Sequence, residues 1–182
     1  GKQCAVLQDF CENYYPEAKA DLATVFLERC LDFNPQGGSA TIVLPQNWLF
    51  LTSYKKFREK LLTEQTWNLL ARLGEKGFES AAAAGAFVAL ITLSKGVAPK
   101  EALLRGMDVA ELKTAMEKSQ AICSIIIKPI SQMGQLINPD SRISLDSQVS
   151  SHPLLKDFCE CYQGIRTGEK ELFIRLFWEL SA

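Results

Sequence analysis

The sequence is nearly without histidine: His152 is the only one in 182 residues. A Ser-His-Asp or Cys-His mechanism needs an imidazole between a nucleophile and an orienting acid. His152 precedes Pro153 in a polar stretch with no nucleophile signature beside it, which argues against that chemistry. Paired cysteines are also lacking. The six are Cys4, Cys11, Cys30, Cys123, Cys159 and Cys161, and none forms C-x-x-C. Structural zinc wants two ligand pairs at hairpin or helix spacing, so no metal site is expected. Free thiols in a reducing cytosol are the simpler reading. An excess of one charge is missing too: 20 Lys+Arg stand against 21 Asp+Glu, a net −1. That argues against a protein that binds by neutralising many phosphates, while leaving room for a small basic patch. The longest near-apolar run, 81–93, falls short of the roughly 20 residues that span a bilayer. The opening GKQCAVLQDF has no basic region followed by an apolar one, so no secretory signal and a cytoplasmic location are expected. G-x-G-x-x-G and P-loop patterns are absent as well.

What is present suits a folded α/β chain. With 47% hydrophobic and 23% charged residues, a core can be buried and disorder is not the main state. Leu22, Val25, Phe26, Cys30 and Phe33 recur at helical spacing, with Lys19, Glu28, Arg29 and Asp32 expected largely on other faces. Pro35 and Gly37-Gly38 stop that helix. Residues 40–44 read as a strand buried on both faces, as in a parallel sheet, ended by Pro45. A helix over about 53–62 follows, with Tyr54, Phe57 and Leu61 as its apolar stripe. Residues 66–73 read as a strand with Trp67, Leu69, Ala71 and Leu73 on one face. A glycine-bounded loop leads to Phe78, and residues 86–93 form another strand, antiparallel to the last. Beyond Gly96, residues 99–105 read as a short helix. Asp108 reads as the N-cap of a helix with Val109, Leu112, Ala115 and Met116 on its apolar face, and Glu111 three residues on as an approximate capping box. Residues 124–128 are β-branched and short before Pro129, and 136–149 read as loop. The pattern is the back half of an open α/β sheet without its front.

Six stretches in order resemble adenine-specific DNA methyltransferases, above all the large BREX-type enzymes of bacterial phage defence. PEAKADLATVFLERCLDF (16–33) resembles the helix after the family's NPPY catalytic loop. GGSATIVLPQNWLF (37–50) resembles the next strand and its continuation, and SYKKFREKLL (53–62) the following helix. LLARLGEKGFES (69–80) resembles the strand and loop that end in a phenylalanine. NPDSRI (138–143) and YQGIRTGEKELFIRLFWEL (162–180) are similar to segments leading into target recognition. Two departures stand out. Phe78-Glu79-Ser80 and four alanines replace a segment that usually carries Gly-Glu-Val-Val, and Glu169-Lys170 replaces the usual Asp-Asn.

The resemblance implies a fold: the C-terminal half of a class I, Rossmann-like methyltransferase sheet, with a mainly helical and loop extension. Residues 1–94 would be the second half of the catalytic domain. Residues 95–182 would be a connector and the start of the target-recognition region. Gly1 falls just after the NPPY position, so the chain resembles an excised piece that lacks both the cofactor loop and NPPY. The implied activity of the parent is methyl transfer from S-adenosylmethionine to the exocyclic amine of a flipped adenine in double-stranded DNA, with other defence proteins as partners and no membrane. The piece alone should be inactive, bind the cofactor poorly and self-associate through an exposed sheet edge. The alternative is a non-catalytic interaction module that kept half the fold.

The same resemblance nominates residues. Phe78 matches the position that stacks on the flipped base, and the plain alternative is a core aromatic. Asp21, Leu22 and Phe26 match the helix face beside the cofactor's adenine; the alternative is ordinary helix packing. Lys55, Lys56 and Arg58 are candidate phosphate contacts, against a solvated helix face. Gly164, Arg166, Thr167, Gly168 and Lys170 are candidate DNA contacts in the recognition turn, against an ordinary tight turn.

Overall fold

The computed structural model describes residues 4–79, 85–146 and 158–160. Residues Gly1–Val149 form one compact unit and Ser150–Ala182 a second; the account below concerns the first.

Helix α1 (Ala5–Tyr14) stops just before Pro16, a residue that disfavours helical backbone in the one preceding it. Helix α2 (Leu22–Phe33) begins at Asp21, whose carboxylate accepts from the Ala23 N–H at 2.8 Å, satisfying a donor left free in the first turn. Its buried positions are Thr24, Val25, Leu27, Glu28 and Leu31. The apolar stripe expected from spacing is therefore displaced: Leu22, Phe26 and Phe33 are exposed, and Glu28, expected outside, lies inside. Strand β1 (Ser39–Pro45) follows, then two 3-10 turns, Gln46–Leu49 and Thr52–Tyr54. Helix α3 (Lys55–Glu64) buries Phe57 and Leu61 as expected, and Tyr54 just ahead of it is buried too, but so is Arg58.

Strands β2 (Gln65–Gly74), β3 (Val88–Lys95), β4 (Leu103–Asp108) and β5 (Lys128–Ser131) complete a five-stranded mixed sheet in the order β1-β3-β2-β4-β5. β3 runs antiparallel to both β1 and β2 and lies between them, while β2 and β4 are parallel. β1 and β2 therefore point the same way, joined over α3, and β3 returns between them. β1 is an edge strand with alternating exposure. This corrects the doubly buried parallel strand: the β-prone run 40–44 fits an edge whose one face, at Leu44, packs inward.

In β2 the register skips at Asn68, between the Trp67–Leu93 and Leu69–Thr92 pairs. This bulge resets the alternation, so that of the expected series 67, 69, 71 and 73 only Trp67 and Ala71 are buried, and Leu70 is buried in addition. The Trp67 N–H donates to the buried Gln132 side chain at 3.0 Å, which itself donates to the carbonyls of Leu62 and Gln65. Trp48, Phe57, Trp67, Leu70, Ile91, Leu93 and Leu104 share one core with Leu27 and Leu31 of α2. Trp48 meets Phe57 and Trp67 at ring centroid distances of 5.4 and 5.7 Å.

Beyond β3, expectation and structure part. Residues 103–108 are a strand where 99–105 read as helix, so the stretch expected as helix and loop supplies two strands of the sheet. Gly106 lies inside β4 because a Cβ there would meet Ile130 Cδ1 at 2.7 Å and Leu145 Cδ2 at 2.9 Å, a close approach that favours glycine. Asp108 ends the strand instead of capping a helix. It bonds the Ala110 N–H and pairs with Arg72 at 2.8 Å. The helix comes later, as α4 (Ala115–Ser124), with Thr114 and Glu117 forming its capping box. Pro129 sits within β5, tolerated because β5 is the other edge strand.

Candidate functional site

Parallel β1 and β2 bring their carboxyl ends together. Pro45 of β1 and Gly74 of β2 both pair with Val88 of β3. Open α/β sheets bind ligands at this end. The Gln46 N–H donates to the Phe87 carbonyl at 2.9 Å, joining the turn after β1 to the loop before β3. Phe78 lies in the loop after β2 with 43% of its surface exposed, and Phe87 is exposed beside the start of β3. Gly77 precedes Phe78 where a Cβ would lie 2.9 Å from Val88 Cγ2. Phe78 is thus a loop aromatic open to solvent rather than a core side chain.

Between the start of α2 and the turns after β1, a cavity of about 60 Å³ is lined by Asp21, Thr24, Asn47, Trp48, Leu51 and Tyr54, among others. Thr24 Oγ1 is spent on the turn ahead of α2, 2.6 Å from the Ala18 carbonyl. Burial, and then the charge of Asp21, pushes the Tyr54 hydroxyl above its usual range. The buried Trp48 Nε1 and Gln46 Oε1 have no hydrogen-bond partner, and of the two residues Trp48 lines the cleft. Of the three residues expected near a cofactor, Asp21 lines the cavity while also capping α2. Leu22 and Phe26 are exposed at 38% and 60% outside it.

Two buried cations brace this end of the sheet. Arg58 is 0% exposed. Its guanidinium donates to the carbonyls of Trp48 (2.5 Å), Leu51 (2.8 Å), Asp140 (2.7 Å) and Ser141 (3.1 Å). A planar fork of donors suits such a cluster. It clasps the turns after β1 to residues 138–143, where the Ile143 N–H also reaches the Leu49 carbonyl. Asp140 and Ser141 hold φ of 53° and 52° there, backbone in which non-glycine residues are uncommon. Arg58 is therefore corrected from a candidate phosphate contact to an internal staple. Burial, the leading cause, pulls its pKa down. Lys118 of α4, 2% exposed, donates to the carbonyls of Leu73 (2.6 Å), Val109 (3.0 Å) and Ala110 (3.2 Å), tying the ends of β2 and β4. Neither staple carries a sequence signal: each is one basic residue in a polar helix.

Lys55 and Lys56 are exposed in the first turn of α3, and Lys55 approaches Glu59 at 3.9 Å. A cation there is opposed by the helix dipole, so these charges do not serve the helix. Gly164, Arg166, Thr167, Gly168 and Lys170 lie outside the described residues, as does His152. Among the described residues no group of three or more His, Cys, Asp or Glu could hold a metal ion, and no helix is long and apolar enough to cross a membrane.

Residues 3–78 match the family model for the Eco57I restriction-modification methylase. Across 79 residues the chain is 35% identical to adenine-specific methyltransferase PglX of Lacticaseibacillus casei (strain Zhang), covering 43% of this chain and 6% of that protein. It is 32% identical over 72 residues to adenine-specific methyltransferase BrxX of Escherichia coli O9:H4 (strain HS), covering 40% and 6%. The resemblance read from the motifs is thus borne out, and this chain corresponds to a small share of either relative's length. A solved structure of a modification subunit assigned to a type I restriction enzyme of Vibrio vulnificus YJ016 is 17% identical with a TM-score of 0.49, covering 71% of this chain and 31% of that one.

Proposed function

We propose that this chain is the second half of the catalytic domain of a site-specific DNA adenine-N6 methyltransferase, continued by the approach to its target-recognition region, in a phage-defence or restriction-modification setting. The observation that carries the reading is the 35% identity over 79 residues to an adenine-specific methyltransferase. In this reading the sheet is the back of a class I methyltransferase fold. The unpaired side of β1 marks where the front strands belong, and residues 1–94 and 95–182 divide catalytic half from connector.

Methylating an exocyclic amine requires the adenine out of the duplex. Phe78 offers a ring face to the extruded base, and exposure at the carboxyl end of β2 suits it to that task. Base–aromatic stacking contributes about 1–3 kcal/mol, which offsets part of the unstacking cost. S-adenosylmethionine is the methyl donor. The residues present fit only one wall of its site: a 60 Å³ cleft is far below the roughly 300–1,000 Å³ of a complete ligand pocket. Asp21 lines that cleft, Leu22 and Phe26 approach the cofactor's adenine from the exposed helix face outside it, and the glycine-rich loop and NPPY acceptors belong to the rest of the longer protein. Lys55 and Lys56 contact phosphate, and Gly164, Arg166, Thr167, Gly168 and Lys170 approach DNA in the recognition turn. Double-stranded DNA and other defence proteins are the partners of the longer protein.

The test is methyl transfer to DNA by the longer protein that contains this chain. Phe78→Ala should lower activity and the fluorescence rise of 2-aminopurine at the target position by about 5- to 150-fold, the stacking free energy expressed as a ratio. An active protein whose flipping signal is unchanged by Phe78→Ala removes Phe78 from this role. An intact protein that modifies no DNA overturns the reading itself. The isolated chain should give no clear calorimetric signal with S-adenosylmethionine.

A further inference from the structure

Helix α4 is fastened to the sheet by a cation rather than by an apolar face. Lys118 is its one buried residue, while Met116 on the same helix is exposed. An ammonium inside a protein needs acceptors for its three donors. Lys118 has three, the carbonyls of Leu73, Val109 and Ala110. They stand on the two sides of one seam, where the end of β2 meets the turn after β4. The seam is tight. Gly74 has a φ of 67°, and a Cβ there would lie 2.8 Å from Ala110 Cβ and 2.9 Å from Ala110 Cα. The Val109 N–H donates to the Arg72 carbonyl at 3.0 Å, and the Arg72 guanidinium pairs with Asp108 across the same strands. The chain leaves the seam at Gly74 and touches the sheet again at Gly77, which packs on Val88. Between these glycines stand only Glu75 and Lys76, the latter with a φ of 58°. Phe78 comes next. With so short a path between two close approaches, the direction in which Phe78 leaves the sheet follows from the geometry of the seam.

We propose that Lys118 is a positioning residue for Phe78: by gathering the Leu73, Val109 and Ala110 carbonyls on one ammonium, it fixes the seam from which the Phe78 loop springs. Lys118 touches neither base nor cofactor and acts through the ring alone. The proposal rests on the reading of Phe78 as the aromatic that takes the extruded adenine. Such a ring works only when held in place, because a displacement of about 1 Å set from far away can cost about 100-fold in rate. Groups on loops gain that precision from supporting contacts behind them. Here the support comes from α4, which lies beyond the 3–78 stretch that matches the methylase family. The connector thereby serves the catalytic half, and α4 has a task although it buries no apolar side chain.

The experiment uses the longer methyltransferase that contains this chain and compares Lys118→Met, Lys118→Arg, Gly74→Ala and Phe78→Ala. Two quantities are read in each: the 2-aminopurine fluorescence rise at the target position and the affinity for S-adenosylmethionine. Lys118→Met should lower the fluorescence rise about twofold or more, the scale of coupling through a shared backbone shift, and by no more than Phe78→Ala does. Cofactor affinity should stay within about twofold, as for sites that share no partner. Lys118→Arg should restore part of the signal, because it keeps a charge and several donors. In the Phe78→Ala protein, Lys118→Met should have no further effect, since no ring is left to position. Gly74→Ala drives a Cβ into Ala110 and should reproduce the Lys118→Met pattern; it decides alone where Lys118→Met does not fold. Equal loss of flipping signal and cofactor affinity in the folded variants, or a Lys118→Met loss that adds in full to that of Phe78→Ala, overturns the proposal. A signal that responds to Phe78→Ala but to neither Lys118→Met nor Gly74→Ala overturns it and leaves the role of Phe78 standing. A signal indifferent to Phe78→Ala removes that role and this proposal with it.

Discussion

The two ends of the sheet treat buried charge differently. Near the carboxyl end Arg58 and Lys118 are each inside, and each spends its donors on backbone carbonyls, four for Arg58 and three for Lys118. Near the amino end Glu28 is equally enclosed but meets only the shared Lys60 ammonium. Fully satisfied buried groups fix a local structure, whereas a partly satisfied one raises the free energy of the site. The carboxyl end is therefore built as a rigid frame around exposed loop aromatics, the arrangement a site on loops needs. The amino end is built with a deficit. Substitutions at these residues separate the two cases.

Arg58→Met should have the largest effect. Four carbonyls lose their donor at once, and at about 1–3 kcal/mol for each buried acceptor left unsatisfied the loss should exceed about 3 kcal/mol. Urea or thermal unfolding should show that loss. Arg58→Lys should recover less than half of it, because a compact ammonium cannot fill the fork-shaped site. A loss below about 1 kcal/mol would show that residues 46–54 and 138–143 hold together without the staple. Lys118→Met should cost less, about 2–3 kcal/mol, the scale of leaving buried acceptors unsatisfied. The damage should be local, as faster hydrogen exchange in α4 and in residues 75–79. Lys118 also carries a pH signature. Burial lowers its pKa, so the unfolded chain binds more protons between that lowered value and about 10.4. Stability should rise with pH across this window, and Lys118→Met should abolish the rise.

Much of the frame could be read from the sequence, for identifiable reasons. Tyr54, Phe57 and Leu61 marked α3 correctly because spacing of three and four residues leaves little freedom in a helix. The antiparallel pairing of β2 and β3 followed from two apolar runs around a glycine-bounded loop. The buried face of α2 was misread: Leu22, Phe26 and Phe33 looked like core but face outward, so an apolar residue need not pack within the chain that carries it. β4 was missed because 99–105 read as a short helix and Asp108 as a helix N-cap, whereas pairing with β2 and β5 holds the segment as a strand. The placement of Phe78 in an exposed loop was legible. Arg58 and Lys118 were not, since a lone basic residue in a helix is ordinarily solvated and only tertiary contacts reveal otherwise.

Phe78→Ala should barely alter the stability of the isolated chain, by less than about 1 kcal/mol, because substitutions at exposed positions away from packing features are mild. That contrast with Arg58→Met is informative. A stability loss comparable to that of Arg58→Met would make Phe78 part of the frame rather than a side chain kept in reserve for a ligand.

The smallest effect belongs to Glu28→Gln, and its sign is the sharpest test of the deficit at the amino end. Burial raises the folded pKa of Glu28 above its unfolded value, with Lys60 pulling the other way. The folded chain therefore binds more protons than the unfolded one between about 4.3 and the raised value. Stability from this group is complete below about 4.3 and is lost as pH rises through the folded pKa. Glutamine does not titrate and carries no desolvated charge, and the half-exposed Lys60 ammonium stays hydrated without its partner, so Glu28→Gln should match the wild type under acid conditions and equal or exceed it at neutral pH, within about 1 kcal/mol. Urea midpoints compared from about pH 4 to about pH 7 read this directly. A variant that instead becomes less stable than the wild type as pH rises would mean that Lys60 fully compensates Glu28, and that the amino end is as well satisfied as the carboxyl end.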